Sequence, residues 1–184
     1  AMPLPDWWPS LPTDRPVIYV TLGSSGQEGL LPTVISALAQ LPVTALVSTA
    51  GADFPGAVPD NVFWAKSLPG DAAVERASLV LCNGGSPTTH QALSRGVPVL
   101  GLAGNLDQYL NMATIDRVGA GRLLRSGTCN TADLVAAIRQ LLANRAVREV
   151  ALSLAERIRD CESVSEFNRT INEVGLSEAL PLYT

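Results

Sequence analysis

The segment with the clearest chemical potential is 83–89, Asn-Gly-Gly-Ser-Pro-Thr-Thr, which follows the apolar run 78–82. The glycines allow a ligand to approach the backbone, and Ser86 followed by Pro87 fits the cap and first position of a helix. Because a helix start offers N–H groups and the positive end of the helix dipole, this segment suits a phosphate. A capped helix after a tight turn explains the same residues equally well.

The charge pattern around this segment favours an anion. No acidic residue occurs between Ala77 and Leu106, and Arg95 is the single charged residue in that stretch. Helix starts usually carry Asp or Glu in the first turn, where these side chains interact favourably with the dipole. Here that place is left open, which is typical of a helix start that receives a negatively charged ligand.

Three further polar or glycine-rich segments follow predicted strands, and they are Gly-Ser-Ser-Gly at 23–26, Ser-Leu-Pro-Gly at 67–70 and Gly-Asn-Leu-Asp-Gln at 104–108. In an open parallel sheet, ligands bind beyond the carboxyl ends of the strands. Neither the G-x-G-x-x-G fingerprint nor a G-x-x-x-x-G-K-[ST] loop occurs, so a dinucleotide or ATP site lacks its main signal. Taken alone, the 23–26 segment is more often a simple turn.

The elements that must position these segments alternate along the chain. Apolar and β-branched runs predict strands at 17–22, 43–48, 61–65, 78–82, 97–102 and 122–124. Helical spacing predicts helices at 30–41, 70–76, 87–95, 106–118 and 131–143, with Thr131 as a cap and helical residues continuing to about 174. This alternation predicts an α/β fold with a doubly wound, parallel, Rossmann-like sheet.

The chain divides into three parts by composition. Residues 1–16 contain five prolines and predict a lead-in or interdomain linker, 17–174 form the domain, and 175–184 form a C-terminal tail. Trp7 and Trp8 lie in the first part. They either pack on the surface of this domain or are covered by a neighbouring one.

Composition excludes several classes of function. The chain is 47% hydrophobic and 16% charged, as expected of a folded globular protein, and its formal net charge is −4. Because binding to a phosphate backbone needs a positive field, we expect no nucleic-acid partner. No bilayer-spanning apolar stretch or signal peptide is visible, so a cytoplasmic protein without a transmembrane segment is expected.

Metal and disulfide chemistry have little support in the sequence. Cys82, Cys129 and Cys161 are odd in number and widely spaced, which argues against a disulfide framework and a zinc site. No Asp-x-Asp metal motif occurs. We therefore expect no metal and no cofactor.

The order of these motifs resembles the donor-binding C-terminal half of two-domain (GT-B type) glycosyltransferases of the UDP-glucuronosyltransferase and macrolide-glycosyltransferase kind. That family has a strand ending in Gly-Ser, then P-x-N-V, W-x-P-Q, H-G-G-x-G-T-x-x-E-A-L, G-V-P-V-L, D-Q-x-x-N-A and G-x-G. The corresponding segments here are 22–24, 59–62, 67–70, 83–93, 96–100, 107–112 and 119–121. The resemblance covers roughly residues 16–145, in the same order.

The resemblance implies a role for each matched residue in binding a UDP-sugar or TDP-sugar donor. Gly23 and Ser24 would lie near the diphosphate, and the helix start would hold the phosphates through Asn83, Gly85, Ser86 and Thr88. Leu68 would offer its backbone to the base, and Gln91 would contact the ribose hydroxyls. Asp107 and Gln108 would face the sugar. In the family, the general base comes from an N-terminal, acceptor-binding domain. No catalytic residue is therefore expected in this chain, which alone should bind without turnover.

Five matched positions depart from the family pattern. Ser67 replaces the tryptophan that stacks on the base, Gly70 the glutamine of W-x-P-Q, Asn83 the histidine, Pro87 a glycine, and Gln91 the ribose-binding glutamate. These changes favour an alternative to a transferase, a nucleotide-sugar-binding module that has lost catalysis. One half of a sugar-nucleotide epimerase is a further alternative, because such enzymes can share the two-domain architecture. Asn111, following the Asp107-Gln108 pair, favours the transferase.

Overall fold

A computed structural model of the chain describes residues 2–23 and 28–161. Three expectations fall outside these residues: the position of Ser24, the continuation of the last helix to 174, and the tail 175–184.

The described part of the chain contains one sheet of six parallel strands. The strands are β1 (Val17–Thr21), β2 (Thr44–Ser48), β3 (Val62–Ala65), β4 (Leu79–Cys82), β5 (Val99–Ala103) and β6 (Gly121–Arg125). Their order in the sheet is β3-β2-β1-β4-β5-β6. The predicted doubly wound, Rossmann-like α/β fold is therefore confirmed, and the strand bounds differ from the predicted ones by two residues at most.

Helices connect the strands and cover both faces of the sheet. They are α1 (Leu31–Leu38), α2 (Gly70–Arg76), α3 (Ser86–Leu93), α4 (Leu106–Arg117), α5 (Thr131–Ala143) and α6 (Arg145–Asp160). Helices α1 and α5 pack on one face, whereas α2, α3, α4 and α6 pack on the other. Alternate strand residues supply the two cores: Ile18 and Val20 face the first, and Tyr19 faces the second.

Two predicted helix caps were wrong by one residue. Asn130, not Thr131, caps α5: its side chain accepts a hydrogen bond from the Asp133 N–H, and the Asp133 carboxylate accepts one from the Asn130 N–H. Gly85, not Ser86, is the N-cap of α3. Pro87 consequently occupies the second helical position, where its missing N–H still costs the helix no hydrogen bond.

The two tryptophans of the N-terminal segment pack on this domain. Trp8 is only 5% exposed, and the guanidinium of Arg76 lies 5.2 Å from its ring centroid. The Trp7 ring lies 5.6 Å from that of Phe63 on β3. Residues around Trp8 thus form part of the second core, and the first of the two interpretations of these tryptophans is the one observed.

Candidate functional site

The candidate site lies where the direction of chain winding reverses. Strands β1 and β4 are neighbours, and the chain leaves β1 toward α1 on one face and β4 toward α3 on the other. A crevice forms at such a point because adjacent loops diverge to opposite faces. Gly23, whose φ is +68°, follows β1 here, and the segment 83–85 follows β4.

A tight turn joins β4 to α3. The Gly85 N–H donates to the Asn83 Oδ1 at 3.0 Å, and the Gly84 N–H donates to the Cys82 Sγ at 3.3 Å. Gly84 has a φ of +84°, and a Cβ there would lie 2.6 Å from the Cγ of Met112 on α4. Only glycine meets both requirements, so the first glycine of the motif has a geometric cause.

The start of α3 presents two backbone N–H groups that can bind an anion. The first hydrogen bond across the helix start runs from the Thr89 N–H to the Gly85 carbonyl, at 3.2 Å. The N–H groups of Ser86 and Thr88 therefore have no acceptor within the helix, while Pro87 has no N–H to offer. The first turn carries no acid. Together with the two adjacent hydroxyls, these groups can receive a phosphate.

Thr89, the neighbour of the predicted ligand Thr88, has a structural role instead. It is 2% exposed, and its hydroxyl donates to the Ser86 carbonyl at 3.1 Å. The side chain of Asn111 donates to the same hydroxyl at 2.9 Å and to the Gly84 carbonyl at 2.7 Å. We did not predict Asn111 as a site residue. Its position three residues after Gln108, on the inner side of one helix, was the available signal.

The loop between β5 and α4 is held by Asn105 and by Gln108, which is one of the two residues that the sequence assigned to the sugar. Asn105 caps α4 by accepting from the Gln108 N–H at 2.9 Å. The Gln108 side chain is 5% exposed, and its Oε1 accepts from the Gly104 N–H at 2.9 Å. Gln108 thus shapes the loop, whereas Asp107 is exposed in the first turn of α4. The sugar contacts of both residues stay predictions.

The remaining predicted residues, Leu68 and Gln91, lie before α2 and within α3. Leu68 buries its side chain in the second core, which leaves its backbone as the part able to contact a base. Gln91, on α3, donates its Nε2 to the Oδ1 of Asp71, on α2, at 3.1 Å. The structure therefore brings Gln91 together with Asp71, an acid that sequence reasoning did not single out.

The buried thiol beneath the site is chemically inert at neutral pH. Burial raises the pKa of Cys82 to about 12, although the hydrogen bond from the Gly84 N–H acts in the opposite direction. Because the thiolate is the nucleophilic form, Cys82 is a packing residue and not a reactive one.

Within residues 2–23 and 28–161, no group of three or more His, Cys, Asp or Glu side chains is arranged to hold a metal ion. Over the same residues, none of the helices combines the length and the apolar character needed to cross a bilayer.

Comparison with known proteins gives a consistent result. Residues 33–172 match the family described as "Erythromycin biosynthesis protein CIII-like, C-terminal domain". Over 152 residues the chain is 56% identical to a PGL/p-HBAD biosynthesis glycosyltransferase and 51% identical to a PGL/p-HBAD biosynthesis rhamnosyltransferase, both of Mycobacterium tuberculosis. Among solved structures, the spinosyn rhamnosyltransferase SpnG complexed with thymidine diphosphate superposes with a TM-score of 0.77 at 24% identity.

The extent of these matches defines what is shared. The mycobacterial alignments cover 83% of this chain but only 36% and 34% of the two relatives, and the SpnG match covers 87% of this chain and 45% of that structure. The chain thus spans about a third of the length of its curated relatives. The family match covers well over half of the chain, and both curated relatives are glycosyltransferases; the chain belongs to the EryCIII-like C-terminal domain family.

Proposed function

We propose that this domain binds a UDP-sugar or TDP-sugar and holds its diphosphate at the start of α3, for transfer of the sugar to an acceptor hydroxyl. The observation that carries the proposal is the α3 start itself. It lies at the switch point of the sheet, its first turn has no acid, and the N–H groups of Ser86 and Thr88 have no acceptor within the helix. That SpnG is complexed with thymidine diphosphate supports TDP.

In this mechanism the domain stabilises the leaving group. As the bond between the sugar and the diphosphate breaks, negative charge develops on the diphosphate oxygens. The two N–H groups, the Ser86 and Thr88 hydroxyls and the positive end of the α3 dipole are fixed before the reaction, so they stabilise this charge without reorganisation. Asn83 holds the turn that sets their positions by accepting from the Gly85 N–H.

The nucleoside would lie between the start of α2 and α3. Position 67 carries Ser, so no aromatic ring is available there to stack on the base. We propose that the backbone at Leu68 and the side chain of Gln91 contact the nucleoside, and that Gly23, Asp107 and Gln108 line the diphosphate and sugar side.

The acceptor and the general base would come from an N-terminal domain of the full-length protein. Leu106 and Leu110 support this arrangement: they lie one turn apart at the start of α4, beside the candidate site, and are 72% and 58% exposed. Large apolar side chains grouped at such an edge commonly mark a contact surface. We propose that they contact the acceptor-binding domain across the donor cleft.

Calorimetric titration of the chain with UDP, TDP and GDP tests the donor site. We expect saturable binding of UDP or TDP, weakened about tenfold or more by Thr88→Ala, because a hydrogen bond to a charged group contributes roughly 1.5–3 kcal/mol. Thr114→Ala is the matched control, since that hydroxyl is bound to the Leu110 carbonyl on α4. Equal binding by the Thr88→Ala variant, or no binding of UDP or TDP, would contradict the proposed site.

A second candidate function is a binding module that has lost catalysis, favoured by the neutral residues at positions 83 and 91. Substituting Asn83→His and Gln91→Glu separates the two. A sharp rise in nucleotide affinity would indicate a degenerate site, whereas unchanged or reduced affinity would indicate a site adapted to its present residues.

A further inference from the structure

We infer that Asp71 is a donor-binding residue whose carboxylate accepts a hydrogen bond from the 3′-hydroxyl of the nucleoside, beside Gln91. This inference rests on the proposed function, because it assigns a new residue to the same site. Asp71 would supply the negative charge that the neutral Gln91 does not carry.

The first argument is a contact between α3 and the start of α2. The Gln91 Nε2 lies 3.1 Å from the Asp71 Oδ1, so a side chain of α3 is joined to one of α2 across 20 positions of sequence. Helix α2 follows β3 and α3 follows β4, so both begin at the carboxyl edge of the parallel sheet. Asp71 is also the one acidic residue within the segments 67–71 and 83–91.

The second argument is that Gly70 creates the room for this contact. A Cβ at position 70 would lie 2.7 Å from the Gln91 Oε1 and 2.9 Å from its Nε2, closer than such atoms approach one another. Any side chain at position 70 would therefore move the Gln91 amide. The absence of a side chain at position 70 is therefore what allows the Gln91 amide to lie against Asp71.

The third argument is the hydrogen-bonding capacity of the pair. Gln91 uses an N–H donor on Asp71, which directs its amide and leaves the Oε1 as an acceptor. The Asp71 carboxylate has a second oxygen, and a charged acceptor binds a hydroxyl more strongly than a neutral one does. Two adjacent acceptors suit a nucleoside sugar, whose hydroxyls are donors. The 3′-hydroxyl is the one that ribose and deoxyribose share.

A competing explanation is structural, since an acid in the first turn of α2 also stabilises that helix. The test therefore needs a readout on the ligand. Asp71→Asn keeps an oxygen that can accept from Gln91 but removes the charge. Glu75→Gln is the matched control, because it removes the same charge from an exposed residue one turn further along α2.

The experiment is calorimetric titration of the unaltered chain and both variants with UDP, TDP and their 3′-deoxy analogues. We expect Asp71→Asn to weaken binding of the parent nucleotide fivefold or more, and Glu75→Gln to leave it unchanged. With the 3′-deoxy analogue, the unaltered chain and the Asp71→Asn variant should bind equally. Adding Gln91→Glu to Asp71→Asn moves the carboxylate to the neighbouring position and should restore part of the affinity.

Two results would overturn the inference alone: nucleotide binding that depends on Thr88 but not on Asp71, or an Asp71→Asn loss that persists with the 3′-deoxy analogue. Failure of the unaltered chain to bind UDP and TDP would overturn the proposed function and this inference together. Thermal unfolding of each variant shows whether a loss of affinity comes from a loss of fold.

Discussion

The side-chain nitrogen of Asn111 lies 2.9 Å from the hydroxyl of Thr89 and donates a hydrogen bond to it. The same nitrogen donates to the Gly84 carbonyl at 2.7 Å, so one amide joins α4 to both sides of the turn that begins α3. The candidate phosphate site is therefore held in place by a residue whose side chain bonds to the turn itself. This relationship makes Asn111 a positioning residue whose loss should be visible in stability and in affinity.

Replacing Asn111 with Ala should lower the free energy of unfolding by about 1–3 kcal/mol, because the buried Thr89 hydroxyl and the Gly84 carbonyl lose a donor. Nucleotide affinity should fall with it, since the α3 start is no longer held. Urea unfolding and calorimetry measure the two effects. Asn111→Asp keeps the shape but presents an acceptor to the Gly84 carbonyl and to a Thr89 hydroxyl that already donates to the Ser86 carbonyl, so it should destabilise at least as much. Wild-type stability in the Asp variant would contradict the assignment.

Gly84→Ala should destabilise the fold for two separable reasons. The φ of +84° costs an L-residue about 1–2 kcal/mol, and the contact with Met112 adds about 1–3 kcal/mol of overpacking. Gly56→Ala is the matched control: Gly56 has a φ of +89°, but a Cβ there meets nothing within 4 Å. Equal losses of unfolding free energy in the two variants would show that Met112 does not constrain position 84.

Gly70→Ala should act on the ligand more than on the fold. The added Cβ meets only the end of the flexible Gln91 side chain, which can move away at small cost in stability. The Gln91 amide then no longer donates to Asp71, so nucleotide affinity should fall toward that of the Gln91→Ala variant. In a Gln91→Ala background, Gly70→Ala should have no further effect on affinity; additive losses would mean that Gly70 acts by another route.

The sequence predicts the elements of this fold better than it predicts the pairings inside the site. Helices α2 and α5 have the predicted bounds, because Pro69 and the capping residues near Asn130 are local signals. Motif order also places the loops after β4 and β5 correctly at the carboxyl edge of the sheet.

The pairings depend on information that is not local. Asn111 meets Thr89 across 22 positions, and Gln91 meets Asp71 across 20. Whether two such side chains touch depends on how each helix is rotated against the sheet, which is decided by buried contacts such as that between Met112 and Gly101. The spacing of motifs along the chain carries no information about that rotation.

The buried thiol of Cys82 should make stability depend on alkaline pH. Its pKa is about 12 in the folded chain, against an ordinary value of 9.0. Because the folded pKa is raised, this contribution to stability is fully present below pH 9 and is lost as the pH rises toward 12, at up to about 1.4 kcal/mol per pH unit. Burial also raises the pKa values of Tyr19 and Cys129, so total stability reports all three groups.

Comparison with a Cys82→Ala variant isolates the contribution of Cys82, since the other two groups titrate in both proteins. Urea unfolding at pH 7.5, 9 and 10, under reducing conditions, should show the unaltered chain more stable at pH 7.5 because the cavity left by the substitution costs packing. That advantage should shrink between pH 9 and 10, because only the unaltered chain gains a thiolate at position 82 on unfolding. A difference in stability that stays constant over this range would mean that the pKa of Cys82 is the same in the folded and unfolded states.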